Sequence, residues 1–110
     1  MKLQARSYID FKTLDTVLNG FDGALVVDET GRIVVYTDNY AEVAGLPKEC
    51  VVGKYVLDVF PDSRMMEVIN TGKPIYIDLW QAGAETVFVC RYPIVAEGEV
   101  VGAVAVCVFR

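Results

Sequence analysis

The stretch TVFVCRYPIVAEGEVVGAVAVCVF, Thr86 to Phe109, holds two apolar runs on either side of a polar break with Gly98 inside it. Valine, isoleucine and aromatic residues favour extended backbone, and a tight Glu97-Gly98 turn makes consecutive strands antiparallel. Thr86–Ile94 and Val100–Phe109 therefore read as a hairpin. The second run is apolar on both of its alternating faces, and a strand that needs cover on both faces belongs in the middle of a sheet. It is about half as long as a membrane-spanning helix requires, so it reads as a buried strand.

Upstream, Ile75–Trp80 makes a third strand, separated from Thr86 by QAGAE. Before it, DSRMMEVINTGKP, Asp62 to Pro74, predicts a short helix. Asp62 caps it, Met65, Met66 and Ile69 share a face, and Gly72 with Pro74 ends it. GALVVDETGRIVVYT supplies another hairpin, with strands Ala24–Val27 and Ile33–Tyr36 around a turn containing Asp28 and Gly31. From Asp38 to Phe60 the chain reads as several brief helices, punctuated by Gly45, Pro47 and Gly53 and closed by Pro61. At the start, Ser7 and Asp10 cap an amphipathic helix of about three turns, in which Phe11, Leu14 and Leu18 recur at helical spacing until Asn19-Gly20. The order is helix, two strands, irregular helices, three strands, an α+β class with no repeat or linker.

Composition narrows the function. A chain of 110 residues makes one domain with one core. A formal charge of -5 with no basic cluster opposes direct binding of nucleic acid. Histidine is absent, which removes the commonest zinc ligand, general base and haem ligand. Cys50, Cys90 and Cys107 are odd in number and without a CxxC pair, so they read as reduced thiols. MKLQARSYIDFK lacks the apolar run of a signal peptide, and both features point to the cytoplasm. A hydrophobic share of 54% is high for so small a domain, which suggests a piece of a longer protein with partner surfaces left open.

FDGALVVDETGRIVVYT and YAEVAGLPKECVVGK, with the element order above, resemble the PAS domain. DVFPDSRMMEVINTGKP followed by CRYPIVAEGEVVGAVAVCVF is similar to the N-terminal sensory PAS domains of bacterial sigma-54-dependent transcription activators. The resemblance implies a five-stranded antiparallel sheet, helices across one face enclosing a small pocket, and an N-terminal flanking helix. It divides the chain into a helix at 1–20 and a sensory domain at 21–110. It also implies a cytoplasmic regulator whose ATPase and DNA-binding modules lie outside this chain. Thr37 stands where PAS domains commonly carry asparagine, and Met66 where this subgroup often has proline.

The chemistry of single residues allows two readings at several places. Met65 and Met66 either fill a core or line a cavity for an apolar guest. Arg64, at the helix start where a cation opposes the dipole, needs a partner. That partner is either a carboxylate such as Asp62, Glu67 or Asp78, or an acidic or carbonyl ligand. Cys90 alternates with Phe88 and Tyr92, and Cys107 with Ala103, Ala105 and Phe109. Both thiols read as small buried hydrophobes facing a pocket, since no histidine or neighbouring lysine activates them. NTGKP lacks the remaining residues of a phosphate-binding loop. Neither the Asn-Cys-Arg-Phe-Leu-Gln stretch of flavin photosensors nor a haem-binding histidine is present, so no cofactor is implied.

Together these give a non-enzymatic sensory domain that binds a small apolar or aromatic molecule, with or without an acid or hydroxyl group. The candidate lining is Tyr36, Tyr40, Phe60, Met65, Met66, Ile69, Phe88, Cys90, Ala103 and Ala105, with Arg64 as polar anchor. The partner expectation is a homodimer through Phe11, Leu14, Leu18 and an outer sheet face of Val100, Val104, Val106 and Val108. A PAS dimerisation module with a filled core is the competing reading. A small hydrolase would need a perturbed carboxylate or thiolate beside a base, and the sequence offers no such set.

Overall fold

The computed structural model describes residues 11–18, 20, 22–82 and 85–109. Helix α1 spans Phe11–Leu18, and strands β1 and β2 span Ala24–Asp28 and Ile33–Tyr36. Helix α2, Asp38–Ala44, a 3₁₀ turn at Lys48–Cys50, and helices α3, Val56–Val59, and α4, Met65–Thr71, follow. Strands β3, Ile75–Ala82, β4, Glu85–Ala96, and β5, Glu99–Phe109, complete the order. All pairings are antiparallel, and the five strands lie in the order β2-β1-β5-β4-β3. The strand that the sequence marked as apolar on both faces is the central one.

Alternation along the strands builds two cores. Leu25 and Val27 on β1, Val87 and Val89 on β4, and Ala103, Ala105 and Cys107 on β5 face the helices. There they meet Tyr40, Val43, Val56, Met65 and Val68. On the outer face Ala24, Val26 and Val35 pack with Leu18 of α1, backed by Val34, Ile94 and Val104. Close strand contact depends on Gly102, where a Cβ would run into the carbonyl oxygen of Val27.

Thr37 links the hairpin to the helices. Its hydroxyl is fully buried and accepts from the Ala24 N–H at 3.0 Å and the Tyr40 N–H at 3.4 Å, capping α2 while tying it to β1. Gly31 allows the opposite closure. At φ +89° it sits under α4, and a Cβ there would come within 2.7 Å of both Met66 Sδ and Tyr55 Cε1.

Several sequence expectations shift. Helix α4 starts at Met65, three residues beyond Asp62, because Ser63 Oγ accepts from the Met65 N–H at 3.2 Å. Cys90 and Phe88 lie on the outer face, for the buried Val87, Val89 and Arg91 take the inner positions of β4. Met66 packs toward Gly31 and Tyr55, away from Cys90. Val100 leaves the outer set, since a bulge between Ile94 and Val95 resets the alternation. A Cβ at Gly72, at the end of α4, would lie 3.6 Å from its Cγ2. Leu18 is already 92% buried against its own sheet, at 8% exposure, so it cannot serve as an open partner surface. The expected cap at Ser7 and Asp10, and the side chains of Phe11, Leu14 and Val108, lie outside the described residues.

Candidate functional site

The helix-facing side of the sheet carries one charged side chain, Arg91, among the described residues classed as buried. It reaches this position through strand pairing: Arg91 sits opposite Ala105 on β5 and Ile75 on β3, and paired residues share a face. Strand β3 then departs from regularity. Ile75 pairs with Arg91 and Asp78 with Val89, three steps on one strand against two on the other. The extra residue lies in the Tyr76-Ile77 segment, where Ile77 has φ 45° and both side chains point into solvent. A β-branched residue at positive φ is strained, and the surrounding sheet holds it there. The bulge turns Asp78 to the same face as Ile75 and Arg91.

Asp78 Oδ2 accepts from Arg91 Nη1 at 2.8 Å and from Arg64 Nη1 at 3.2 Å. Arg64 in turn grips Glu67 with Nε and Nη2, each at 3.1 Å. Arg64 thus has the carboxylate partners that its awkward place before α4 required, Glu67 and Asp78 out of the three candidates. Burial pushes the Asp78 carboxyl up, but the Leu79 N–H, both arginine hydrogen bonds and the Arg91 charge outweigh it and hold the pKa below 3.8. Hydrogen bonding and charge from Arg64 likewise hold Glu67 below its ordinary value. The Arg91 side chain is only 7% exposed, and its Nε has no hydrogen-bond partner among the described residues.

Around that orphaned donor stands an aromatic wall. Tyr40 and Trp80 stack with centroids 4.8 Å apart, Phe60 meets Trp80 edge-on at 5.9 Å, and Tyr36 lies 5.6 Å from Tyr40. Burial raises the Tyr40 hydroxyl well above its ordinary range, so it stays neutral, and burial pushes Tyr36 up to about 12. Tyr36 donates to the Leu46 carbonyl at 2.8 Å. Tyr40, Phe60, Met65 and Ala105, with Leu25, Val56, Ser63, Trp80 and Arg91, enclose a cavity of about 20 Å³. That is room for about one water molecule. Phe60, Ser63, Trp80 and Arg91 also belong to an open groove of about 470 Å³, which Arg64 and Asp78 flank.

Of the sequence candidates, the structure brings Tyr40, Phe60, Met65 and Ala105 to the cavity and Arg64 to the groove. Tyr36 and Ala103 are buried in the adjoining core, and Met66 and Ile69 pack at its edge. Phe88 and Cys90 are on the other side of the sheet. Arg91, Ser63 and Trp80 were missed, and Asp78 was anticipated only as a partner of Arg64. A one-residue shift in the assigned face of β4 would have found Arg91, since only Cys90 or Arg91 can face inward at that point.

No protein-family model matches the chain. Among curated proteins it is similar to a probable C4-dicarboxylate sensor kinase of Halalkalibacterium halodurans, 29% identical over 85 residues, covering 77% of this chain and 16% of the kinase. It is also similar to the transcriptional activator RocR of Bacillus subtilis, 32% identical over 112 residues, covering 88% of this chain and 24% of RocR. The chain therefore spans a quarter or less of the length of these relatives. Among solved structures, the PAS domain of Bordetella pertussis BvgS superposes with a TM-score of 0.66 at 20% identity, over 90% of this chain and 85% of that one. The Vibrio cholerae VqmA dimer superposes with a TM-score of 0.63 at 14% identity, over 90% of this chain and 50% of that one. At these identities the superpositions show the fold, and the fold is that of PAS domains.

Proposed function

We propose that this chain, which adopts the PAS fold, is the sensory input module of a longer cytoplasmic signalling protein and carries out no chemistry itself. The relatives that it matches are a sensor kinase and a transcription activator, and it corresponds to a minor part of each. One observation carries the sensory reading. A 93% buried arginine (7% exposed) with an unpartnered Nε stands beside Tyr40, Phe60 and Trp80, where a filled structural core would hold an apolar side chain. A small molecule with an aromatic or aliphatic body would enter through the groove and favour one packing of α4 against the sheet. The populations of the output states would follow. Native mass spectrometry of the purified protein tests this: a co-purified small mass, released on denaturation, is expected. An empty protein whose stability is unmoved by any compound of a metabolite panel would overturn it.

The enclosed cavity of about 20 Å³ favours a second reading, a ligand-free module that pairs two copies. The outer sheet face exposes Tyr76, Leu79 and Tyr92 at 68%, 61% and 38%. A second copy would cover them, and the dimeric VqmA neighbour lends support. Light scattering on the wild type and on Leu79→Glu decides the point. A dimer that becomes a monomer in the variant supports pairing through this face, and a wild-type monomer at high micromolar concentration sinks it.

A further inference from the structure

We infer that the site takes a carboxylate, held by the Nε edge of Arg91, with Asp78 as its built-in competitor. The inference rests on the sensory reading above and names the ligand class for that site. A guanidinium offers two edges, each able to take a carboxylate through two N–H groups. Arg91 spends Nη1 on Asp78 at 2.8 Å and keeps Nε without a partner. An uncharged acceptor would satisfy that donor, but charge favours an anion. Asp78 lies within 3.2 Å of both Arg91 and Arg64, and the formal charges of the three leave one positive charge in excess. Glu67, which would offset it, sits on the water side of Arg64 with its side chain half exposed, where its field is screened.

The body of the ligand is set by the walls. Phe60 and Trp80 flank the groove that leads to Arg91, and the groove's 470 Å³ falls in the range of small-molecule sites. A monocarboxylate with a short apolar or single-ring body fits that division of labour: the acid on Arg91 and the body against the aromatic wall. Asp78 is fixed on the strained β3 bulge and shares the same arginine, so it lowers the affinity for any incoming acid by repulsion and by offsetting the guanidinium charge.

The test uses matched probes on the wild-type chain, followed by isothermal titration calorimetry. Propionate, benzoate and phenylacetate are each compared with the corresponding amide. At least one acid is expected to bind about tenfold or more tightly than its amide, the ratio of one lost charged contact. Asp78→Asn is expected to raise that acid's affinity about tenfold by removing the competitor, and Arg91→Gln to abolish the acid-over-amide preference. Equal binding of acids and amides would overturn the carboxylate inference and leave the sensory reading standing. Silence of every acid with the wild type overturns the inference, and silence together with an empty native mass spectrum removes the sensory reading as well. The wild-type comparison does not depend on either variant folding.

Discussion

Removing Asp78 should destabilise the domain far more than removing any surface carboxylate. Arg91 keeps 7% of its side-chain exposure and Asp78 keeps 25%, so Asp78→Ala leaves a guanidinium in the core with neither Nη1 nor Nε paired. Breaking one partner out of a buried pair costs about 3–5 kcal/mol. Asp78's own access to water, and the path by which water could reach Arg91 through the groove, place the cost at the low end, about 3 kcal/mol. With an unfolding entropy of about 2.1 cal/mol/K per residue, that loss lowers the melting temperature by roughly 13 °C. The same reasoning makes the second change opposite in sign. Replacing a buried ion pair with apolar side chains is often neutral or stabilising, so Asp78→Ala combined with Arg91→Met should recover most of the loss. Differential scanning calorimetry on wild type, Asp78→Ala, Arg91→Met and the double variant closes the cycle. A drop below about 0.5 kcal/mol for Asp78→Ala, or a double variant as unstable as the single, would refute the account of Arg91 as a buried charge held by Asp78.

Thr37→Val keeps the shape but removes the acceptor for two buried N–H groups, and urea unfolding should show a loss of about 2 kcal/mol. Gly102→Ala drives a Cβ into the Val27 carbonyl between β1 and β5, and should cost about 3 kcal/mol or prevent folding, read as loss of soluble yield and of the thermal transition. Acid stability should follow the depressed carboxylates. Asp78 titrates below 3.8 in the fold, so its contribution is present above that pH and is lost as pH falls through the folded value. Wild type should therefore lose stability more steeply than Asp78→Asn below about pH 4, and parallel curves would show that Asp78 is not held by the arginines.

How far the sequence could be read depended on whether a feature was local or relational. The central place of β5 was legible, because an apolar run of valine and alanine needs two covered faces wherever it lies. The Asp28-Gly31 turn and the Gly72 stop were legible as well, since each is a property of a few consecutive residues. Gly72 indeed caps α4 at φ 70°, and the Asp28 carboxylate accepts from the Thr30 and Arg32 N–H groups. The start of α4 was not, because Asp62 and Ser63 both have the chemistry of a cap, whereas the N-cap position falls to Arg64 and Ser63, just ahead of it, accepts from the Met65 N–H through Oγ. Tyr40, Phe60 and Met65 were placed at the cavity because a buried aromatic or thioether at helical spacing has few other destinations.

Arg91 shows why the rest of the site stayed hidden. In TVFVCRYPIV either alternate set can face inward: Phe88, Cys90 and Tyr92, or Val87, Val89 and Arg91. Hydropathy favours the set without a charge, and a strand carries no other local signal for its facing side. What reverses the choice is long-range. Val87 and Val89 are fully buried against the helices, and pairing of Arg91 with Ala105 of the central strand locks it to the inner face of β4. The arginine becomes tolerable only because β3 contains one residue more than a regular partner would need. That residue swings Asp78 from the outer face to the inner one, at the expense of an isoleucine at φ 45°. Remove it, and Asp78 would point to solvent while Arg91 stood unpaired in the core. A carboxylate, the bulge beside it on the edge strand and an inward arginine thus form one solution, with the arginine 13 residues from the carboxylate it needs. None of them declares itself alone.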